Sequence, residues 1–131
     1  FAVTKDQQVI CVKQFRAGPE AIQLEIPGGG LEQGEDAALA ADRELTEETG
    51  FRGRDPVFLA AVDYSPYQSG KRYAYMITEC EKVKELDLDP NEFLEVVLIP
   101  IEKFRDLMKS GQVRGFDAAY MALDKLGRLT F

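Results

Sequence analysis

Residues 28–51 read "GGGLEQGEDAALAADRELTEETGF", and no other stretch constrains the fold as tightly. Its first eight residues hold four glycines and mark a loop. Residues 35–49 are rich in Ala, Leu and Glu and predict a helix, with Gly50 suited to end it. Ala37, Ala38, Ala41 and Leu45 recur at helical spacing and predict its packing stripe. The difficulty lies in the last turn. Glu44, Glu47 and Glu48 fall within about 100° of arc on a helix. Like charges at that spacing repel by a few tenths of a kcal/mol per pair. The negative end of the helix dipole disfavours them further. A solvated helix would carry lysines there, so something must offset the charge.

Divalent cations are one answer. Mg2+ takes oxygen ligands from one or two carboxylates, waters and substrate phosphates. Glycines just upstream let the backbone turn sharply and bring a carbonyl close to the same face. Arg43 can also orient the cluster, through Glu47 one turn on, and Glu35 lies on a broadly similar side eight positions before it. The chain has no histidine, which removes Ser-His-Asp and Cys-His mechanisms and every histidine-ligated zinc site. Its net charge of −7 argues against nucleic acid or an anionic membrane as partner. A phosphorylated small molecule remains compatible, provided dications stand between it and the acidic surface.

The rest of the chain predicts strands at residues 1–4, 8–15, 21–27, 56–64, 72–80 and 93–100, and helices at 101–111 and 117–127. Strands on both sides of a central helix imply an α/β layered domain, and 131 residues with 45% apolar content suit one domain over residues 1–131. The longest apolar run, "VVLIPI" at 96–101, is far short of the roughly 20 residues of a membrane span. Cys11 and Cys80 read as reduced core thiols of a cytoplasmic protein. The chain opens inside a strand, so an N-terminal segment of the full-length protein is expected upstream.

Taken jointly, residues 29–51 resemble the Nudix box: Gly, five residues, Glu, seven residues, Arg-Glu, an aliphatic residue, one residue, Glu-Glu, one residue, Gly, an apolar residue. Gly29, Glu35, Arg43, Glu44, Leu45, Glu47, Glu48, Gly50 and Phe51 fill those positions in order. The resemblance implies an α/β (α+β) fold, a mixed β-sheet sandwiched between helices, with the box as loop–helix–loop. It implies Mg2+ or Mn2+ as cofactor and hydrolysis of a nucleoside diphosphate linked to another group. Carried over by position, Glu44, Glu47 and Glu48 are the metal-binding and catalytic carboxylates, and the Gly28 carbonyl is a further ligand. Gly29, Glu35, Arg43 and Gly50 hold the box in shape.

Features outside the box are similar to the ADP-ribose and nucleotide-sugar pyrophosphatases. "CVKQFR" resembles their strand ending in a substrate-contacting Arg, here Arg16, and "LEIPGG" their lead-in to the box, where Glu25 helps hold the nucleotide. "YSPYQSG" places Pro66 where that subfamily carries a proline, and Tyr64, Tyr67, Tyr73 and Tyr75 can stack on a base or simply pack. "NEFLEVVLIPIEKF" resembles the late segment holding a catalytic carboxylate, which maps to Glu92, with Glu95 and Asp89 behind it. The same likeness implies a homodimer. "GQVRGFDAAYMAL" departs from the acidic-then-Lys-Thr pattern of that subfamily, with Gly115 and Phe116 in its place, so the preferred nucleotide sugar has room to differ. Two alternatives stay open: a non-catalytic nucleotide-sugar sensor, and a hydrolase of oxidised nucleotides or dinucleoside polyphosphates.

Overall fold

A computed structural model describes the chain except residues 87, 89, 92 and 131. In order, the elements are β1 (Ala2–Thr4), β2 (Gln8–Arg16), β3 (Ala21–Glu25), α1 (Ala37–Thr49), β4 (Phe51–Arg52), β5 (Val57–Ser65), β6 (Gln68–Lys82), β7 (Leu94–Pro100), α2 (Ile101–Lys109) and α3 (Phe116–Lys125). The sheet is mixed. Three-residue β1 runs antiparallel to β2 through Val3↔Val9 and parallel to β6 through Ala2↔Ile77 and Thr4↔Cys80. On the β2 side stand β3 and β7; on the β6 side stand β4 and β5.

Strand periodicity divides the core between the two faces of this sheet. Val3, Val9 and Cys11 point to one face and pack with Ile101, Phe104 and Met108 of α2 and Ala119, Ala122 and Leu123 of α3. Ala2 and Ile10 point to the opposite face, where Leu45 of α1 joins Phe51, Ile77 and Cys80. The sheet therefore lies between α1 on one side and α2 with α3 on the other. Both cysteines are buried, and burial pushes their thiols up to about 12 for Cys11 and about 11 for Cys80. No helix among the described residues is long and apolar enough to cross a membrane.

Three local expectations need correction. α1 begins at Ala37, two residues later than expected, because Asp36 caps it: its carboxylate accepts from the N–H groups of Ala38 at 2.7 Å and Leu39 at 3.4 Å. Glu35 thus belongs to the loop. The buried alanine of α1 is Ala40, with Ala38 only half-buried. The expected loop at 65–71 is mostly strand: pairing runs past Asp63↔Lys71 to Ser65↔Gln68, leaving Pro66 and Tyr67 as the turn. A Lys71–Asp63 ion pair at 3.1 Å and the Tyr67 N–H bonded to Ser65 Oγ at 3.0 Å carry the hairpin to its tip. β4 was not expected at all; its two residues pair with Glu81 and Lys82 of β6.

Candidate active site

Helix α1 ends on a set of contacts that fix its last turn. Gly50 adopts φ 77°, a left-handed conformation that favours glycine, and its N–H donates to the Thr46 carbonyl at 2.9 Å. The Gly50 carbonyl accepts from the N–H groups of Val83 at 2.8 Å and Lys84 at 3.2 Å. Buried Thr49 donates its hydroxyl to the Leu45 carbonyl at 2.5 Å and accepts the Phe51 N–H at 3.1 Å. The carboxylate-bearing turn is thereby bonded to the segment that leads out of β6.

The loop before α1 is held by Arg43. Its Nε and Nη2 donate to the two oxygens of Glu35 at 2.8 and 2.9 Å, and Nη2 also reaches the Gly30 carbonyl at 3.2 Å. Glu35 accepts the Glu32 N–H as well, at 3.0 Å. These bonds to its charged form hold the Glu35 carboxyl down at about 2, with Arg43 the larger cause. Arg43 Nη1 donates to Glu44 Oε1 and Glu47 Oε2, each at 3.0 Å. Part of the charge crowded at the end of α1 is therefore offset inside the chain. One guanidinium serves Glu35, Glu44 and Glu47 together.

Glu48 receives no such help. It faces a cleft of about 730 Å³ whose walls include Gly28, Gly29, Glu44, Arg16 and Glu25, with Tyr64, Tyr73 and Tyr75 from the β5–β6 hairpin. The Gly28 N–H donates to Glu48 Oε2 at 3.3 Å. Burial nevertheless raises the Glu48 carboxyl to about 7, and the nearby Glu44 and Glu25 carboxylates add to the rise. Arg16 and the Gly28 N–H act against it.

Glu25 is itself buried, with 9% of its side chain exposed. Arg16 Nε and Nη2 donate to its two oxygens at 2.7 and 2.6 Å, a bidentate pair in which Arg16 reaches back past Gln14 along the β2–β3 face to Glu25, whose own register partner is Val12. Arg114, which the sequence reading passed over, stands with its Nε 3.6 Å from Glu25 Oε2. Arg72 bonds Asp117 at 2.9 Å and ties the hairpin to the start of α3.

Not every expected site residue reaches the cleft. Glu47 projects away with 54% of its side chain exposed, against 18% for Glu44, because the helical face toward the sheet runs through Ala37, Ala41, Glu44 and Glu48. Pro66 sits in the hairpin turn outside the cleft lining, and Tyr67 beside it is 95% exposed. Glu95 on β7 pairs in register with Lys13 of β2, also outside the lining. Glu92 and Asp89 lie outside the described residues.

The donors present suit a hard cation. Glu44 and Glu48 present carboxylate oxygens on one face, no histidine competes, and the Glu44 carboxylate occupies the room that Gly29 leaves by having no Cβ. With Glu47 turned to Arg43, no three acidic or thiol groups converge as a preformed cluster among the described residues. Mg2+ is content with one or two carboxylates plus waters and phosphate oxygens, so two suffice for a fit.

Comparison with known proteins identifies the fold. An ADP-ribose pyrophosphatase of Bacillus subtilis (strain 168) is 36% identical over 92% of this chain, and a methanol dehydrogenase activator of Bacillus methanolicus 29% over 86%. The chain spans 66% and 62% of those two relatives' lengths. The crystal structure of an ADP compounds hydrolase superposes with a TM-score of 0.76 at 25% identity, covering 97% of this chain and 71% of its own. Residues 1–120 match the NUDIX domain, a span that takes in both walls of the cleft as well as the box; the chain belongs to the NUDIX domain family.

Proposed function

We propose that the chain hydrolyses the pyrophosphate bond of a nucleoside diphosphate linked to another group, with ADP-ribose the first candidate and AMP and ribose 5-phosphate as products. The observation that carries this reading is the pairing of Glu44 and Glu48 in a cleft that Arg16 and Glu25 also line. ADP-ribose pyrophosphatase, the name of the Bacillus subtilis relative, supports the same substrate class.

Glu44 and Glu48, with the Gly28–Gly29 backbone beside them, would hold Mg2+ or Mn2+. When bound, such an ion supplies neutralisation of the diphosphate charge and a lowered pKa for a coordinated water. Gly29 keeps room for the Glu44 carboxylate, and Arg43 with Glu35 keeps the loop against the helix. Arg16, oriented by Glu25, binds the substrate's anionic part. Attack by water on one phosphorus breaks the P–O–P bridge, and the proton passes to a carboxylate of residues 89–95, Glu92 by its likeness to the family pattern. Tyr64 and Tyr73 offer faces on which a base can stack. The apolar side chains exposed on β5, Phe58 and Val62, favour the homodimer expected from the sequence, and the buried thiols suit a cytoplasmic setting.

The test is turnover of a substrate panel with Mg2+ and with Mn2+, products identified by mass spectrometry. ADP-ribose or a related nucleotide sugar should lead, and Glu48→Gln should lose most of that turnover. Turnover unaffected by Glu48→Gln, or strictly confined to oxidised nucleotides, would reject the reading.

A further inference from the structure

Glu25 sits between two guanidinium groups. Arg16 takes both its oxygens in short hydrogen bonds, while Arg114 stands at ion-pair distance, 3.6 Å, from Oε2. One buried carboxylate cannot neutralise two cations, so a unit of positive charge is left over near Ile26 and Gly28, whose N–H donates to Glu48 across the fold. The surplus stands next to the acidic wall of the cleft.

Arg114 does not reach this place on a loose loop. Its N–H donates to the Leu24 carbonyl at 2.9 Å, its carbonyl accepts the Ile26 N–H at 3.3 Å, and Glu25 and Arg114 form an isolated parallel bridge. Val113 before it is buried. Gly115 after it has φ 85°, and a Cβ there would stand 2.6 Å from Ile26 Cγ1, so the chain turns into α3 against β3 at a position that excludes larger residues. The backbone of Arg114 is fixed beside Glu25, a lining residue, while 59% of its own side chain remains exposed and stands just outside the lining. A guanidinium so placed offers a planar fork matched to two oxygens of a phosphate.

We propose that Arg114 is a second anion-recognition residue of this cleft, which works beside Arg16 to position a phosphate of the bound nucleoside diphosphate. The proposal rests on the cleft being a diphosphate site. Arg114 makes no bond to the acidic face, so it acts on binding: the charge it contributes is present before and after the bond breaks, and it lowers KM rather than raising kcat.

The experiment compares the full chain with Arg114→Gln, which keeps most of the side-chain length without its charge, Arg114→Lys, and Lys125→Ala as a control for one lost surface cation. ADP-ribose is titrated into metal-free protein by calorimetry, and KM and kcat are measured with Mg2+. Arg114→Gln should weaken binding and raise KM about tenfold with kcat within about twofold; Arg114→Lys should recover part of the loss; Lys125→Ala should change neither. The Arg114→Gln deficit should shrink in high salt. Unchanged affinity and KM in Arg114→Gln, or a fall in kcat at constant KM, would overturn the proposal. If the wild type binds ADP-ribose but cleaves no diphosphate, the hydrolytic function fails and the calorimetric comparison alone decides the role of Arg114. A wild type that neither binds nor cleaves any diphosphate overturns both.

Discussion

Gly29 lies directly beneath the carboxylate of Glu44, so close that a methyl group on Gly29 would overlap the Glu44 Cδ and both its oxygens. The overlap is with the far end of a flexible side chain, which can swing away cheaply. Gly29→Ala should therefore displace Glu44 while leaving Tm within about 2 °C of the wild type. Metal-dependent turnover should fall at least about tenfold, since a misplaced ligand costs far more in rate than in stability. Gly30 has open space where its Cβ would stand, and Gly30→Ala is the control. Equal effects of the two substitutions on turnover would dismiss the link between Gly29 and Glu44.

Gly50 answers to the fold instead. Its left-handed φ and the Lys84 backbone carbonyl packed against its Cα leave no place for a side chain. Gly50→Ala should destabilise by about 2–4 kcal/mol, adding the cost of a strained conformation to that of moving a backbone segment. Urea denaturation with an unchanged m-value would register this as a loss of midpoint.

The Glu35–Arg43 pair carries a pH signature. Its carboxyl is depressed from 4.5 to about 2 in the folded chain, so its contribution is fully present above about pH 4.5 and is lost as pH falls toward 2. Glu35→Gln should melt below the wild type at pH 7, and the gap should close between pH 4.5 and 2. Paired melts at pH 7 and pH 2.5 check the sign; a gap that widens in acid contradicts it.

Glu48 runs the other way. Burial raises its carboxyl from 4.5 to about 7, so the stability linked to its neutral form is complete below about pH 4.5 and disappears as pH rises through 7. In metal-free protein Glu48→Gln should gain on the order of 1–2 kcal/mol at pH 8, discounted for partial exposure, and nothing at pH 4. Adding Mg2+ at pH 8 should stabilise the wild type and leave Glu48→Gln nearly unmoved. A thermal-shift series with and without the ion reads both effects.

Local pattern carried much of this molecule. The glycine loop, the helix and its stop at Gly50 follow from spacing and backbone preference, which act within a few residues. Glu44, Glu47 and Glu48 looked equivalent because their spacing gives one arc, whereas the face that meets the sheet selects Glu44 and Glu48 and leaves Glu47 to Arg43. That choice is made by Ile10 and Ile77, far along the chain from the helix. Arg114 was hidden for the same reason: only the bridge to Glu25, across many intervening residues, brings it beside a lining residue of the cleft. Gly115 was the available signal, read as a departure from a pattern rather than as a turn forced by Ile26.

The strand β1 joins the two wings of the sheet through three buried residues, with β2 on one flank and β6 on the other. Arg16 and Glu25 ride on the first wing and Tyr73 on the second, so the breadth of the cavity is set at a strand that gives its lining only the methyl of Ala2. A proline at Val3 would strip a ladder amide from that strand and widen the gap between the wings without altering one side chain that a ligand touches. Variation at Val3 or Thr4 would thus change that breadth while leaving the carboxylates in place.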